Sequence, residues 1–469
     1  MRSPTEWLRR STEPLPDMDE PMAAIRGADP IAGSGNGLCL PRHRGTTAHA
    51  ASIYPFHGGR ALQDTASPYV GVNVTDGNSA WSYDPFELYG RDLGGGVVLT
   101  NSNMLVLGEP GNGKSSAVKT MLYRQAAFYG HRRFLSISDP KGEYGPLAAA
   151  LNMPVVKLFP GGADRLNPLD PGPGDQLRSL MNRQILVTGL LSTVMKRDLD
   201  PIEEAILTTA IEVLDDTHAS SLMPATLVDL ANLLGELPER VRHMDELKLL
   251  DDNDIAHAVT AIRLALSKLL QKSLRGMFDG QSTVSIDQMS GQGVVVDLSA
   301  VFSNLDALPL VQMATAASLA GQMAALKDQG RRGILVDDEV WATMASERAA
   351  KTLQERLKLC RLWGFWNILI THRLSDLQAQ ADTGTSASKV AEGLLADVQT
   401  RVVFRQATDQ LARTGELLRM NQRLVDLLPR LTRGRAVWNV AGRAAVVQHV
   451  IAAHGAEREI CNTDQGMKP

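Results

Sequence analysis

The sequence predicts an α/β chain. It would have a mostly parallel sheet covered by helices on both faces, an all-α insertion and a small β-rich lead-in. Three observations predict this. Short apolar runs alternate with helical spacing from Met104 to Val440, and strands joined by helices pair in parallel. One loop between them reads Gly108-Glu-Pro-Gly-Asn-Gly-Lys-Ser115, with an apolar run before it and a helical run after it. Residues 175–273 hold long helical patterns with almost no strand signal.

At roughly 100–200 residues per domain, a chain of 469 residues forms two to four domains. Residues 1–45, rich in Pro, Gly, Ser and charge, read as a disordered or docking arm. Residues 46–100 form the β-rich lead-in, with short runs at Tyr69–Val74, Trp81–Tyr83 and Val97–Thr100. The main α/β domain takes residues 101–174 and 274–454. Its strands are expected at Met104–Leu107, Phe134–Ser138, Val155–Phe159, Val294–Leu298, Ile334–Val336, Asn367–Thr371, Arg401–Phe404 and Ala436–Val440. Helices are expected at Lys114–Tyr129, Ala307–Leu326 and near Ala349–Leu362. Residues 175–273 are the insertion, and 455–469 read as a loose polar tail. Phe278-Asp-Gly280 reads as a turn after the insertion.

Hydrophobic residues make up 44% and charged residues 21%, as in an average globular protein. A net charge of −4 argues against a surface coated for nonspecific DNA binding, though not against DNA held in a ring by a few loops. Cys39, Cys360 and Cys461 fit no metal spacing and read as reduced thiols. The uncharged run Ala307–Leu326 contains Pro309, Gln312 and Gly321, which favours a buried helix over a membrane span. The first residues lack an apolar signal core. The expectation is a cytoplasmic protein that meets the inner face of the membrane through partners.

The Gly108–Ser115 loop fits G-x-x-x-x-G-K-[ST] at every fixed position. Glycines let successive backbone N–H groups point at phosphate oxygens, and the following helix adds the positive end of its dipole. Gly108, Glu109, Pro110, Gly111, Asn112, Gly113, Lys114, Ser115 and Ser116 are the candidate nucleotide-binding residues. Lys114 would reach the β- and γ-phosphates and Ser115 would hold Mg²⁺. A nucleotide site also needs a second, acidic strand end. Arg331-Arg-Gly-Ile-Leu-Val-Asp-Asp-Glu-Val-Trp341 supplies it. Asp338 is assigned to the metal and Glu339 to the base that activates water, with Asp337 the rival for Asp338.

Three stretches narrow the reading further: Phe134-Leu-Ser-Ile-Ser-Asp-Pro-Lys-Gly-Glu-Tyr144, Asn103-Met-Leu-Val-Leu-Gly-Glu-Pro-Gly-Asn-Gly-Lys-Ser-Ser116 and Asp338-Glu-Val-Trp341. Together they resemble the HerA/FtsK superfamily, and within it the TraC-type energising ATPases of conjugation and type IV secretion. The resemblance covers roughly residues 69 to 450, and Arg165-Leu-Asn-Pro-Leu-Asp170 also looks familial. It implies a RecA-like core, ATP and Mg²⁺, a hexameric ring and membrane-embedded partners, with DNA as one candidate cargo. Fewer than 70 residues precede the first strand, so the family's N-terminal domain is expected to be absent or supplied by another chain.

The resemblance also implies two residue roles. The family ends one strand with a Gln that senses the γ-phosphate; here Asn367-Ile-Leu-Ile-Thr-His372 ends in histidine, which makes His372 the candidate sensor. Ring members insert an arginine into the neighbouring subunit's site. Arg361, eleven residues before His372, matches best, with Arg373 and Arg405 as weaker candidates. Asp139 and Glu143 either approach the nucleotide or merely shape a turn with Pro140 and Gly142. Trp341, Trp363, Trp366 and Trp438 read as core or interface anchors. The expected function is an ATP-hydrolysing motor for substrate export or DNA transfer. The rivals are a pump acting directly on DNA and a non-catalytic ATP-binding scaffold, the last disfavoured by the intact Lys114, Asp338 and Glu339.

Overall fold

The computed structural model describes residues 67–94, 96–171, 176–219, 221, 223–241, 251–271, 274–283, 291–304, 307–316, 330–344, 347–372 and 393–461. The arm expected at 1–45, Arg373 and residues 317–326 of the Ala307–Leu326 helix lie outside them.

The strands are β1 (Tyr69–Asn73), β2 (Ser79–Ser82), β3 (Met104–Leu107), β4 (Arg133–Asp139), β5 (Val155–Lys157), β6 (Gly293–Asp297), β7 (Arg332–Asp337), β8 (Phe365–Thr371), β9 (Thr400–Val403), β10 (Arg435–Val440) and β11 (Arg443–His449). They form one sheet in the order β2-β1-β11-β10-β9-β3-β8-β7-β4-β6-β5. From β9 to β5 every pairing is parallel; β10, β11, β1 and β2 continue the sheet in antiparallel fashion. The protein therefore has the mostly parallel α/β fold that its sequence predicts.

The parallel strands are apolar because both faces are covered. Side chains alternate between them. Met104 and Val106 of β3, Leu135 and Ile137 of β4, and Ile334 and Val336 of β7 enter one core with α2 (Lys114–Tyr129) and α3 (Gly145–Ala150). Leu105 and Leu107 enter a second core on the other face, with α9 (Glu347–Trp363). Phe134, Val294 and Leu335 join a third, built mainly by α4 (Gln176–Met195), α5 (Pro201–His218), α6 (Leu227–Val241) and α7 (Asp252–Leu270). Those four helices lie between β5 and β6 in the chain.

Three differences from the sequence expectation have physical causes. The lead-in strands β1 and β2 join the main sheet, since β1 pairs with β11; the run expected at Val97–Thr100 instead makes only isolated bridges at Val98 and Leu99. The expectation stops at Val440, yet β11 follows through a turn in which Ala441 (φ 50°) and Gly442 (φ 95°) are both left-handed. That is the twist-matched geometry of a two-residue hairpin. The tail is not loose at 456–460: α12 (Ala456–Ile460) buries Ile460. Glu457 makes a bidentate pair with Arg124 of α2, at 2.6 and 2.7 Å.

The aromatic anchors behave as core. Trp366 and Trp438 are fully buried and pack around Tyr83. Trp363 stacks edge-on against Phe365. Trp341, which opens α8 (Trp341–Met344), has a further role described below.

Candidate functional site

All the parallel strands point their C-terminal ends to one edge, where ligands of open α/β sheets bind. There β3 gives way to the phosphate loop. Gly108 is required by contact: a Cβ there would lie 2.5 Å from the Cβ of Phe404. The loop stays tied to the continuation of β9, since Phe404 N–H donates to Leu107 at 2.8 Å and Glu109 N–H to Arg405 at 3.0 Å. Asn112 accepts from Gly434 N–H at 2.9 Å, so the turn before β10 straps the loop from the other side. Gly111 (φ 76°) and Gly113 (φ 97°) supply the left-handed turns that bend Pro110–Asn112 into a cradle. Gly113 caps α2, so Lys114, Ser115 and Ser116 sit on its first turn with N–H groups facing out of the helix.

Lys114 is buried and its Nζ curls back to the carbonyls of Gly108 and Glu109, the latter at 3.0 Å. Burial pushes its amine down to about 8, against the pull of Asp338 and Glu339. An anion in the cradle would draw it up again.

The acidic turn after β7 is strapped on both sides. Asp338 N–H donates to Ser138 of β4 at 3.3 Å, and Val340 N–H to Ile370 of β8 at 3.0 Å. The two aspartates then separate by role. Asp337 is paired with the buried Arg356 of α9 and belongs to the fold. Asp338 is buried on the site side, where desolvation and the charge of Glu339 raise its carboxyl to about 7. A nearby divalent cation would relieve both effects.

Glu339 takes a left-handed backbone (φ 53°), which costs a non-glycine residue on the order of 1 kcal/mol. That turn directs the side chain, only 3% exposed, back over the strand ends. Its Oε1 accepts from His372 Nε2 at 2.7 Å and from Lys141 Nζ; its Oε2 accepts from the indole N–H of Trp341. Burial alone would raise this carboxyl, but the bonds from His372 and Lys141 overcome it and hold the group at about 2.

His372 ends β8 and links the two halves of the site. Its Nδ1 lies 3.1 Å from Lys114 Nζ, and its Nε2 lies 3.1 Å from Lys141 Nζ. With the ring proton on Nε2, the histidine donates to Glu339 and accepts from Lys114.

The D-P-K-G-E-Y turn resolves differently from its carboxylates' promise. Asp139 shapes it: backbone N–H groups of Lys141, Glu143 and Tyr144 converge on its side chain at 3.3, 3.0 and 2.8 Å. Glu143 pairs at 3.6 Å with Lys119, a buried lysine of α2. The group aimed into the site is Lys141. It lies within the D-P-K-G-E-Y motif, but its place in the site depends on β4 and β7 being neighbours, which sequence order does not show. Trp341 is missed for a similar reason, since its aromatic body signals core while its N–H serves Glu339.

Of the predicted residues, Lys114, Ser115, Asp338, Glu339 and His372 share this edge. Arg361 does not. It is exposed on the last turn of α9, just before β8 begins. The seven residues of β8 separate it from His372, about 20 Å at ~3.3 Å per residue. Arg405 lies beside the phosphate loop of its own chain, 3.9 Å from Glu109.

The donor set fits a nucleotide with Mg²⁺. The cradle and Lys114 suit phosphates, and Ser115 and Asp338 suit a hard cation. Among the described residues no group of three or more His, Cys, Asp or Glu side chains forms a metal cage. Mg²⁺ characteristically relies on few protein ligands plus phosphate oxygens.

No family model and no curated protein sequence matches the chain. Solved structures do. VirB4 of Thermoanaerobacter pseudethanolicus aligns with a TM-score of 0.65 at 19% identity, over 85% of this chain and 100% of that one. The bacterial conjugative coupling protein TrwBdeltaN70 aligns at 0.54 and 16%, over 76% and 86%. Plasmid coupling protein TrwB in complex with ADP and Mg²⁺ aligns at 0.51 and 15%, over 78% and 90%. The likeness establishes that this chain shares their fold, the RecA-like α/β core expected from its sequence.

Proposed function

We propose that this chain is an ATP-hydrolysing motor that energises substrate export or DNA transfer by a conjugation or type IV secretion apparatus. One observation carries the reading: the lysine of the phosphate loop and the glutamate of the acidic turn, 225 positions apart in sequence, are joined through His372 at one sheet edge. The shared fold with VirB4 and TrwB, and the ADP and Mg²⁺ held by TrwB, support it.

The reaction is attack of water on the γ-phosphorus, with loss of ADP. The cradle and Lys114 hold the β- and γ-phosphates. Ser115 and Asp338 would hold Mg²⁺, which would supply positive charge against the negative charge developing on the phosphate oxygens. Glu339 takes the water's proton, and His372, on releasing Glu339, donates its Nε2–H to the γ-phosphate.

Arg361, too far to act in its own site, completes that of a neighbouring subunit in a hexameric ring. No helix among the described residues is long and apolar enough to cross a membrane. A place at the cytoplasmic face therefore rests on membrane-embedded partners.

The test is steady-state phosphate release from Mg²⁺–ATP by the full chain. Turnover is expected, with Lys114→Ala losing both turnover and nucleotide affinity. A chain that binds ATP without turnover would be a scaffold. A several-fold rate increase on adding duplex DNA at physiological salt would make it a direct DNA pump.

A further inference from the structure

Lys141 belongs to neither the phosphate loop nor the acidic turn, yet it touches the residue assigned to activate water. Its backbone is fixed by the Asp139-centred turn, in which Gly142 takes φ 70° and Tyr144 is fully buried. From that base its flexible arm crosses to Glu339 and His372. The side chain is 30% exposed, against 3% for the glutamate it holds. Its outer side therefore faces the open edge, where the cradle would present a γ-phosphate.

In this arrangement Glu339 is poorly suited to act as a base. One oxygen serves Lys141 and His372 and the other serves Trp341. A carboxylate engaged by three donors, two of them at the oxygen facing the site, has little basicity left for a water proton. Activation requires that Oε1 be released. Trp341 is the next-but-one residue on the same turn and moves with it. Lys141 and His372 reach over from other strands, so theirs are the contacts that an incoming phosphate can break, and Lys141 carries the charge that draws it there. A γ-phosphate bound at Lys114 offers terminal oxygens, and a phosphate oxygen competes well with a carboxylate for a lysine ammonium.

We propose that Lys141 is a γ-phosphate ligand that also latches the general base. It clasps Glu339 as seen here and transfers to the terminal phosphate of bound nucleoside triphosphate, freeing Glu339 Oε1 to accept the proton of the attacking water. The step balances. The water oxygen bonds to the γ-phosphorus and the bond to the β–γ bridging oxygen breaks. The electron pair leaves with ADP, and the water proton passes to Glu339. Nucleoside diphosphate lacks the group that draws Lys141 away, so the latch distinguishes the spent nucleotide from the fresh one. The inference rests on the ATPase reading above.

The experiment compares binding of a non-hydrolysable ATP analogue and of ADP, both with Mg²⁺, to the full chain. Lys141→Met should weaken the analogue by about tenfold or more, the worth of one charge-assisted contact. ADP affinity should stay within roughly twofold, which also reports that the variant is folded. Lys141→Arg, which keeps the cation, should retain most of the discrimination. Glu339→Gln should tighten the analogue several-fold, because Lys141 no longer has to leave a carboxylate. That gain should vanish in the Lys141→Met/Glu339→Gln double variant, since the two side chains are coupled.

An unchanged ratio of analogue to ADP affinity in Lys141→Met would overturn the proposal. So would a Glu339→Gln gain that persists in the double variant. A wild-type chain that binds neither nucleotide would overturn the ATPase reading and this one with it. Discrimination lost in Lys141→Met while wild type binds both would separate the two questions.

Discussion

The insertion α4–α7 and the edge where β3, β4, β7 and β8 end both hold buried charges, and they treat them oppositely. In the insertion, Asp200 caps α5 and Glu203 completes a capping box. Glu203 also takes both arms of Arg197, at 2.6 and 2.7 Å. Partners lie within a few residues, the hydrogen bond from Arg197 draws the Glu203 carboxyl down, and each group is more comfortable as an ion than it would be alone. At the strand ends the partners come from four separate strands. Asp338 is pushed up and Lys114 is pushed down; Glu339 is relieved as an ion by His372 and Lys141 but sits on a left-handed backbone. Charges that serve the fold relieve one another locally. Charges held at a cost, by groups distant in the chain, mark the place where the protein spends stability on chemistry.

That contrast can be broken by substitution. Glu339→Gln should cut phosphate release by about 10³–10⁴, since an amide cannot take the proton, and should also cost some thermal stability, because the carboxylate held low by His372 and Lys141 is lost. Glu203→Gln should leave phosphate release unchanged and cost up to about 1 kcal/mol through loss of the ion pair with Arg197, the amide oxygen keeping the capping box. Steady-state kinetics and thermal melts on the same two variants decide it. If both lose stability and only modest activity, the contrast is false.

Arg361 sharpens the comparison, because it is ordinary within one chain. Arg361→Ala should fold and bind ATP yet hydrolyse about 10³-fold more slowly if the arginine acts on transition-state charge in a neighbouring subunit. Mixing Arg361→Ala with Glu339→Gln subunits should then restore part of the activity, because some interfaces carry an intact glutamate and an intact arginine. Mixed oligomers on native gels without any activity would remove Arg361 and leave Arg405 as the next arginine to try.

The smallest effect is a pH dependence confined to the insertion. The Glu203 carboxyl lies below its ordinary value in the fold. Its contribution is therefore complete above the unfolded value near 4.3 and is lost as pH falls through the folded one. The melting-temperature gap between wild type and Glu203→Gln, a few degrees at pH 7, should shrink steadily below about pH 4. A gap independent of pH would mean that Glu203 acts by packing alone.

The sequence makes the parallel half of the sheet legible because fully buried strands and amphipathic helices carry their periodicity openly. Met104–Leu107 and Lys114–Tyr129 are read to the residue. The antiparallel flank is harder. Residues 443–449 begin with Arg443 and end in Gln448-His449, a half-buried edge-like pattern, and only the Ala441-Gly442 turn points to a hairpin. Within the site, Lys114 and Glu339 announce themselves through motif spacing, and His372 through its place after an apolar run. Lys141 and Trp341 do not, because their partners are set by which strands adjoin. Pairing of β4 with β7 across nearly 200 intervening residues leaves no local trace.

Arg124 has a mechanical meaning. From α2, ten residues past Lys114, it donates to the carbonyls of Tyr69 in β1 and Val450 just beyond β11, each at 2.8 Å, and clasps Glu457 in α12. The sheet's antiparallel margin and the last described helix are thus riveted to the helix that carries the phosphate lysine. A load pulling on either is felt by α2 through that guanidinium. Tension borne by the periphery thus reaches the helix behind the nucleotide cradle in part through this side chain.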